Sequence, residues 1–157
     1  MLWWRTMWDI CFAGGSVLSS FLIGVTMGNL AYGIPLNEQQ EFTEGFFFML
    51  HPYALLMGLT TVALFMMHGS IYIVMKTEGE LQAKIRGWIN RCIIFFIICY
   101  AIITMGTLLY VPHMTEPLRK NPIFFFLPVI NMLAIANIPR EIHKGNDFRA
   151  FLSSCIA

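Results

Sequence analysis

Four long apolar runs constrain this sequence more than any other feature. Each exceeds 16 residues without a single Asp, Glu, Lys or Arg, and they cover residues 10–32, 52–75, 92–111 and 122–138. A helix of about 20 apolar residues crosses the hydrocarbon core of a bilayer, where all backbone groups must be bonded internally. A fifth apolar run covers residues 148–157. We therefore predict an all-α integral membrane protein, a helical bundle of four transmembrane helices plus the start of a fifth.

The composition excludes a soluble domain and leaves little room outside these helices. Charged residues make up 12% of the chain, about half the share found in an ordinary soluble domain. The formal net charge of +1 supplies no basic stripe for a nucleic acid. We expect residues 1–157 to form a single transmembrane domain, which is partial because the sequence stops inside an apolar run.

The positive residues alternate along the chain in the way that sets membrane orientation. Eight of the ten lie before the first run, between the second and third, or after the fourth, and the other two are Arg119 and Lys120. The segment between the first two runs carries only acidic charges, at Glu38, Glu41 and Glu44. Loops rich in Lys and Arg stay in the cytoplasm. The pattern therefore predicts a cytoplasmic N-terminus and cytoplasmic loops at 76–91 and 140–149.

One face of the first predicted helix carries a small residue at every fourth position, at Ser16, Ser20, Gly24 and Gly28. Small side chains let two helix backbones approach closely, which favours helix association in lipid. We predict that this stripe is a packing face. Its partner can lie within the same bundle or on another subunit, and the spacing does not decide between the two.

Polar residues inside the runs are the candidate functional groups. His51 opens the second run, and His68 lies about two turns from its other end. A polar group in hydrocarbon must find a partner. His68 therefore either packs through a hydrogen bond to a serine of the first span or a tyrosine of the third, or it contacts a proton path or a quinone. Asn29, His51 and Tyr110 form a second predicted polar layer near the outer side.

The spacing of these groups argues against a catalytic centre, cofactor site or metal site in this chain. His51 and His68 lie 17 residues apart, about 25 Å along a helix, so they cannot share a metal ion or one haem. The other spans contain no histidine, and no Asp or Glu lies at the middle of a span. A self-contained proton pump needs such intramembrane carboxylates.

Four segments resemble subunit II of the cytochrome bd-type quinol oxidases, including their cyanide-insensitive relatives. Residues 4–9, WRTMWD, are similar to the entry of that family's fourth span, and residues 28–36, GNLAYGIPL, are similar to its end. Residues 52–59, PYALLMGL, resemble the opening of the next span, which continues through HGSIY and KTEGEL in residues 68–81. The resemblance covers nearly the whole chain but only the middle of the family's usual length. His51 departs from it, because the family usually has Asn there.

The resemblance implies a companion role in a bacterial cell membrane. In this family the haems b and d and the quinol site belong to subunit I, and subunit II is a haem-free partner of similar fold that completes the heterodimer. The complex oxidises quinol and reduces dioxygen to water. We therefore expect no cofactor in this chain, and we expect a haem-bearing subunit I and the lipid bilayer as its partners. A quinone is a further candidate ligand, and support of assembly and of proton or oxygen access is the expected role.

Two other classes of protein stay open. The first is a stand-alone small transporter or assembly scaffold. A transporter favours matching broken helices, and only Pro128 in the fourth run offers such a break. The second is a four-helix haem b electron carrier, which needs a second histidine at matching depth on another span.

Overall fold

A computed structural model describes residues 2–35, 37, 39, 41–42, 45–116 and 120–157. Four residues that the sequence argument used lie outside the described residues, namely Leu36, Glu38, Glu44 and Arg119.

The structure is built from helices. Among the described residues five α-helices follow one another, and we number them α1 (Leu2–Tyr32), α2 (Pro52–Lys76), α3 (Glu80–Tyr110), α4 (Phe126–His143) and α5 (Asp147–Ile156). Short 3-10 helices cover Phe46–Leu50, Pro112–Thr115 and Pro122–Phe125. In the described part of the chain, four segments are long and apolar enough to cross a membrane, and α5 is a fifth, shorter helix. The predicted all-α membrane class is confirmed.

The third spanning helix begins earlier than predicted, because the charged segment before it is helical. The predicted loop at 76–91 is reduced to the three residues between Lys76 and Glu80. Gly79 adopts a φ of 73°, which lets the chain reverse before α3 begins. The following sequence, ELQAKIRGWINR, contains mostly good helix formers, so its positive charges lie on the first turns of α3. In the same way, α1 begins at Leu2 rather than at Ile10.

The prolines of the fourth span act differently from the prediction. Pro128 lies in the first turn of α4, where a missing N–H leaves no hydrogen bond unmade, so it does not break the helix. The helix extends beyond the predicted end of the span at Ile138, because α4 continues through Pro139 to His143. Ile138 and Ile142 are both buried on either side of this proline. Their packing therefore holds the helix together where Pro139 removes one backbone bond.

The chain divides into two compact units, residues 1–62 and residues 63–157. The first contains α1, the 3-10 helix Phe46–Leu50 and the beginning of α2. The second contains the rest of α2 with α3, α4 and α5. The core of the second unit is an apolar cluster contributed by all four of these helices, and it includes Met67, Ile71, Val74, Ile89, Ile93, Phe96, Ile135, Ile138 and Ala150.

In the first unit, α1 and α2 approach each other at glycines. A Cβ atom added at Gly24 would lie 2.7 Å from the Cα of Gly58, and one added at Gly28 would lie 2.8 Å from the Cα of Ala54. Contacts this short leave no space for a side chain, so glycine is what permits the close approach.

Only half of the predicted stripe takes part in this contact. Gly24 and Gly28 lie against α2. Ser16 is exposed, Ser20 is half-buried, and each donates its hydroxyl hydrogen bond to the carbonyl oxygen four residues earlier, on Phe12 and Ser16 respectively. The stripe therefore packs within the unit at one end, while Ser16 at its other end is open to lipid or to another chain.

We expect Gly24→Leu to lower the thermal stability of the protein in mild detergent. The new side chain would overlap Gly58 of α2, and overpacking of this kind typically costs about 1 to 3 kcal/mol. Gly14→Leu is the matched control, because a Cβ at Gly14 meets nothing within 4 Å. This substitution raises the helix propensity by the same amount as Gly24→Leu. Equal melting temperatures for the two variants would contradict the proposed close packing.

Candidate functional site

His68 is bonded within the second unit. Its Nδ1 atom lies 2.9 Å from the Oγ atom of Ser154 on α5, and the phenyl ring of Phe151 lies 5.0 Å from the imidazole, centroid to centroid. The Ser154 hydroxyl donates its own hydrogen to the carbonyl oxygen of Phe151 at 2.7 Å. A hydroxyl has one hydrogen to donate, so when that hydrogen goes to Phe151, Nδ1 carries the ring proton and donates to Ser154. The Nε2 atom of His68 then keeps a lone pair, which is the acceptor and base of this neutral tautomer.

A groove opens beside this histidine. It has a volume of about 340 Å³ and is lined by Leu64, Phe65, His68, Ser154, Cys155 and Ala157. Among the described residues, no hydrogen bond is made to Nε2 of His68. The imidazole thus combines a structural bond on one nitrogen with a second nitrogen that has no hydrogen bond within the described residues.

The serine partner of His68 was not predicted. The sequence predicts that His68 bonds to a serine of the first span or to a tyrosine of the third. In the structure its partner is Ser154 on α5. The signal that was missed is the Ser153–Ser154 pair in the fifth apolar run, because polar groups in such a run also need partners.

Asn29 is a buried tie between two elements of the first unit. Its side chain is 8% exposed, and its Nδ2 atom donates to the carbonyl oxygens of Val25 at 2.9 Å and Met49 at 2.8 Å. The second bond fastens the end of the 3-10 helix Phe46–Leu50 to α1. With both amide hydrogens used, Asn29 holds the structure rather than offering a donor to a ligand.

His51 caps the beginning of α2. Its Nδ1 atom accepts a hydrogen bond from the backbone N–H of Ala54 at 3.2 Å. A backbone N–H can only donate, so the proton of the neutral ring is on Nε2. That Nε2 atom is buried and has no hydrogen-bond partner among the described residues. The centroid of the His51 ring lies 4.3 Å from that of Tyr32, 6.0 Å from that of Phe48 and 6.2 Å from that of Tyr53.

This environment favours the neutral imidazole. Burial lowers the pKa of His51 from its ordinary value of 6.5, because desolvation disfavours the charged form. A proton on Nδ1 would also remove the cap and place a positive charge at the N-terminus of a helix, which the helix dipole opposes.

The residues of the predicted outer polar layer are divided between the two units. Asn29 and His51 lie at the same end of the first unit, on either side of the 3-10 helix Phe46–Leu50. Tyr110 ends α3 in the second unit and is exposed. Within the residues that the structure describes, no group of three or more His, Cys, Asp or Glu side chains could hold a metal ion.

The structure adds a set of polar contacts that the sequence argument overlooked. In the second unit, Tyr100 donates its hydroxyl to Asn131 Oδ1 at 2.9 Å, and Asn131 Nδ2 donates to the carbonyl oxygen of Ala157 at 2.8 Å. Asn137 Nδ2 donates to Ser153 Oγ at 2.9 Å. Two asparagines in the apolar run INMLAIAN were the available signal, since each must find a partner in another element.

An ion pair joins the N-terminal part of α3 to the first residue of α5. Arg86 donates from its guanidinium to the Asp147 carboxylate, and their side chains are 37% and 17% exposed. Nearby, the buried Glu141 carboxylate accepts a hydrogen bond from Asn146 at 3.0 Å and lies 3.7 Å from the ammonium of Lys144. The α2–α3 turn and the α4–α5 turn therefore lie at the same end of the second unit.

Comparison with known proteins gives a consistent answer over the whole chain. The family model described as "Cytochrome bd terminal oxidase subunit II" matches residues 1–157. The cytochrome bd-I ubiquinol oxidase subunit 2 of Escherichia coli (strain K12) is 34% identical over 103 residues, which are 63% of this chain and 27% of that protein.

Two further relatives are more distant or match over a shorter segment. A probable cytochrome oxidase subunit 2 of Haemophilus influenzae is 36% identical over 87 residues, 53% of this chain and 23% of that protein. The cytochrome bd ubiquinol oxidase subunit 2 of Bacillus subtilis is 29% identical over 83 residues, 53% of this chain and 25% of that protein. The matched part thus spans about a quarter of the length of these relatives.

We expect the stability of the protein in detergent to fall as the pH drops below 6.5. The unfolded chain takes up a proton at the ordinary pKa of His51, while the folded pKa is lowered by burial. The contribution of neutral His51 is therefore fully present above pH 6.5 and is lost as the pH falls through the folded value. Melting temperatures measured across this range, for wild type and for His51→Asn, test the effect.

Asparagine caps a helix without titrating, so His51→Asn should flatten this part of the pH profile. His113→Asn is the control, because His113 is an exposed histidine of the second unit. Identical profiles for wild type and His51→Asn would rule out the assignment to His51.

Proposed function

The chain belongs to the cytochrome bd terminal oxidase subunit II family, and from this premise we propose that it is a haem-free accessory subunit of a bd-type quinol:oxygen oxidoreductase. The match over residues 1–157 is the observation that carries the proposal. In this role the chain partners a haem-bearing subunit I and supports assembly and proton or oxygen access.

The surface of the helices supports a role beside another membrane protein. In the most apolar 18 residues of each spanning helix, the buried share ranges from 11% in α1 to 33% in α2. Large apolar side chains such as Phe12, Leu109 and Met132 are 80%, 72% and 63% exposed. Such faces require lipid or protein neighbours, and the open Ser16 end of the α1 stripe is suited to a closely packed helix.

The redox chemistry is assigned to the partner. Haem supplies electron transfer and dioxygen chemistry when bound, and the protein around it supplies position, proton access and dielectric. His51 and His68 are 17 residues apart, about 25 Å along a helix, so they cannot together ligate one haem. The imidazole of His68 is a polar group that this chain offers inside a spanning helix.

We place the N-terminus and the two basic turns on the cytoplasmic side of a bacterial cell membrane. The positive-inside rule supports this orientation, because Lys76, Lys84, Arg91, Lys144 and Arg149 belong to these turns or the adjacent helix ends. The ion pair between Arg86 and Asp147 is independent support, since it requires the two turns to lie on one side.

Purification of the tagged protein from its native membrane in mild detergent tests the proposed function. A reduced-minus-oxidised visible spectrum detects haem, and mass spectrometry identifies every co-purifying chain. We expect haem signals together with a larger partner subunit and quinol-dependent oxygen consumption. Haem that remains with this 18.0 kDa chain alone would instead support an electron carrier. A colourless solitary chain would contradict the oxidase role and favour a stand-alone transporter or scaffold.

We expect His68→Gln to leave the turnover of the assembled oxidase nearly unchanged if His68 only packs. The amide N–H of Gln can still donate to Ser154, while the titratable nitrogen is lost. Quinol oxidation is measured on preparations with equal haem content, and Ser154→Ala reports the effect of losing the structural bond alone. A decrease beyond about tenfold in His68→Gln, but not in Ser154→Ala, would show that the lone pair of Nε2 takes part in proton transfer.

A further inference from the structure

A groove runs between α4 and α5 on the surface of the second unit. It has a volume of about 510 Å³, and its α4 wall contains Ile130, Leu133 and Ala134 along one helix face, followed by Asn137 and Arg140. Its α5 wall is formed by Ser153 and Ile156. The groove is therefore apolar at one end and polar and cationic at the other.

The cationic end carries an excess of positive charge. Arg140, Lys144 and Arg149 lie close enough to interact electrostatically with the buried carboxylate of Glu141. That carboxylate already contacts Lys144 and Asn146, and Asp147 is paired with Arg86. In the part of the chain that the structure describes, Arg140 itself forms no ion pair and is exposed. Its guanidinium is thus available to an anion.

The length of the groove matches one leaflet of a bilayer. Ile130 and Arg140 are ten residues apart on one helix, a rise of about 15 Å. The hydrocarbon core is about 30 Å thick, so one leaflet is about 15 Å deep. An acyl chain that lies along Ile130, Leu133 and Ala134 would therefore place its headgroup beside Arg140.

From this gradient we propose that the α4–α5 groove is a binding site for an anionic phospholipid. The phosphate binds the guanidinium of Arg140 through charge-assisted hydrogen bonds, and one acyl chain fills the apolar part of the groove. Basic pockets between membrane helices recognise anionic headgroups in this way. The single cationic end distinguishes the site from a plain helix-docking face, which would need no charge at one end. The proposal does not depend on the oxidase role.

Native mass spectrometry of the detergent-purified protein, with any subunits that co-purify, tests the site. Phosphatidylglycerol and phosphatidylcholine with identical acyl chains are added in turn, and bound lipid is counted. We expect phosphatidylglycerol to bind more tightly, and Arg140→Gln to weaken its binding about fivefold, as loss of one basic residue near anionic lipid predicts. Phosphatidylcholine binding should not change. Lys84→Gln is the matched control, since it removes one exposed charge from the same end of the unit.

A second pair of variants tests the apolar part. Ala136 is exposed and lines the groove, so Ala136→Phe should fill it and displace phosphatidylglycerol with the charge intact. Ala101→Phe, at an exposed position of α3, should not.

Four outcomes would overturn the proposal. Equal binding of the two lipids by the wild type would remove the headgroup preference. Equal losses in Arg140→Gln and Lys84→Gln would reduce the effect to diffuse surface charge. Unchanged binding in Ala136→Phe, or displacement of the lipid by inorganic phosphate at similar concentration, would show that the groove does not hold an acyl chain.

Discussion

The absence of water from the hydrocarbon core is the constraint on which this structure depends. In this environment a polar side chain of a spanning helix is stabilised by hydrogen bonds to other groups of the protein. Some hydroxyl residues form these bonds within their own helix. Thr26, Ser70 and Thr104 each donate to the carbonyl oxygen four residues earlier. An asparagine has two amide hydrogens and an acceptor oxygen, so it reaches further. Asn29 and Asn131 therefore connect separate elements, as the Ser154 hydroxyl does through His68.

The spanning helices could be predicted because their cause is local. An apolar run longer than 16 residues has few alternatives to a membrane helix, and the four predicted spans each lie on a helical segment. The ends could not be predicted equally well. Outside the hydrocarbon core, helix propensity rather than the apolar pattern determines where a helix ends. This is why α3 begins as early as Glu80. The continuation of α4 through Pro139 could not be predicted, because the compensating packing of Ile138 and Ile142 is a tertiary effect.

The candidate site could be predicted in its residue types but not in its pairings. His68, Asn29 and His51 stand out because polar groups in apolar runs are rare. Depth matching between spans then failed for His68, because its partner Ser154 lies on a ten-residue helix that no length criterion counts as a span. The capping role of His51 could be recognised only from the backbone geometry. The sequence pattern does not show that the N–H of Ala54 points at the imidazole. For His51, the nitrogen that accepts follows only from the neighbouring backbone donor.

The length of α3 has a mechanical consequence. Its 31 residues extend over about 46 Å, which exceeds the thickness of the hydrocarbon core by roughly 16 Å. The first turns of α3 therefore lie outside the hydrocarbon core, as an overhang in the aqueous layer. A helix tilt of about 20° would move a point 8 Å beyond the membrane edge sideways by roughly 3 Å. Arg86 lies on this overhang, and its ion pair with Asp147 resists such a displacement. The pair therefore links this overhang to the beginning of α5, and salt, which screens partly exposed charges, would weaken the link.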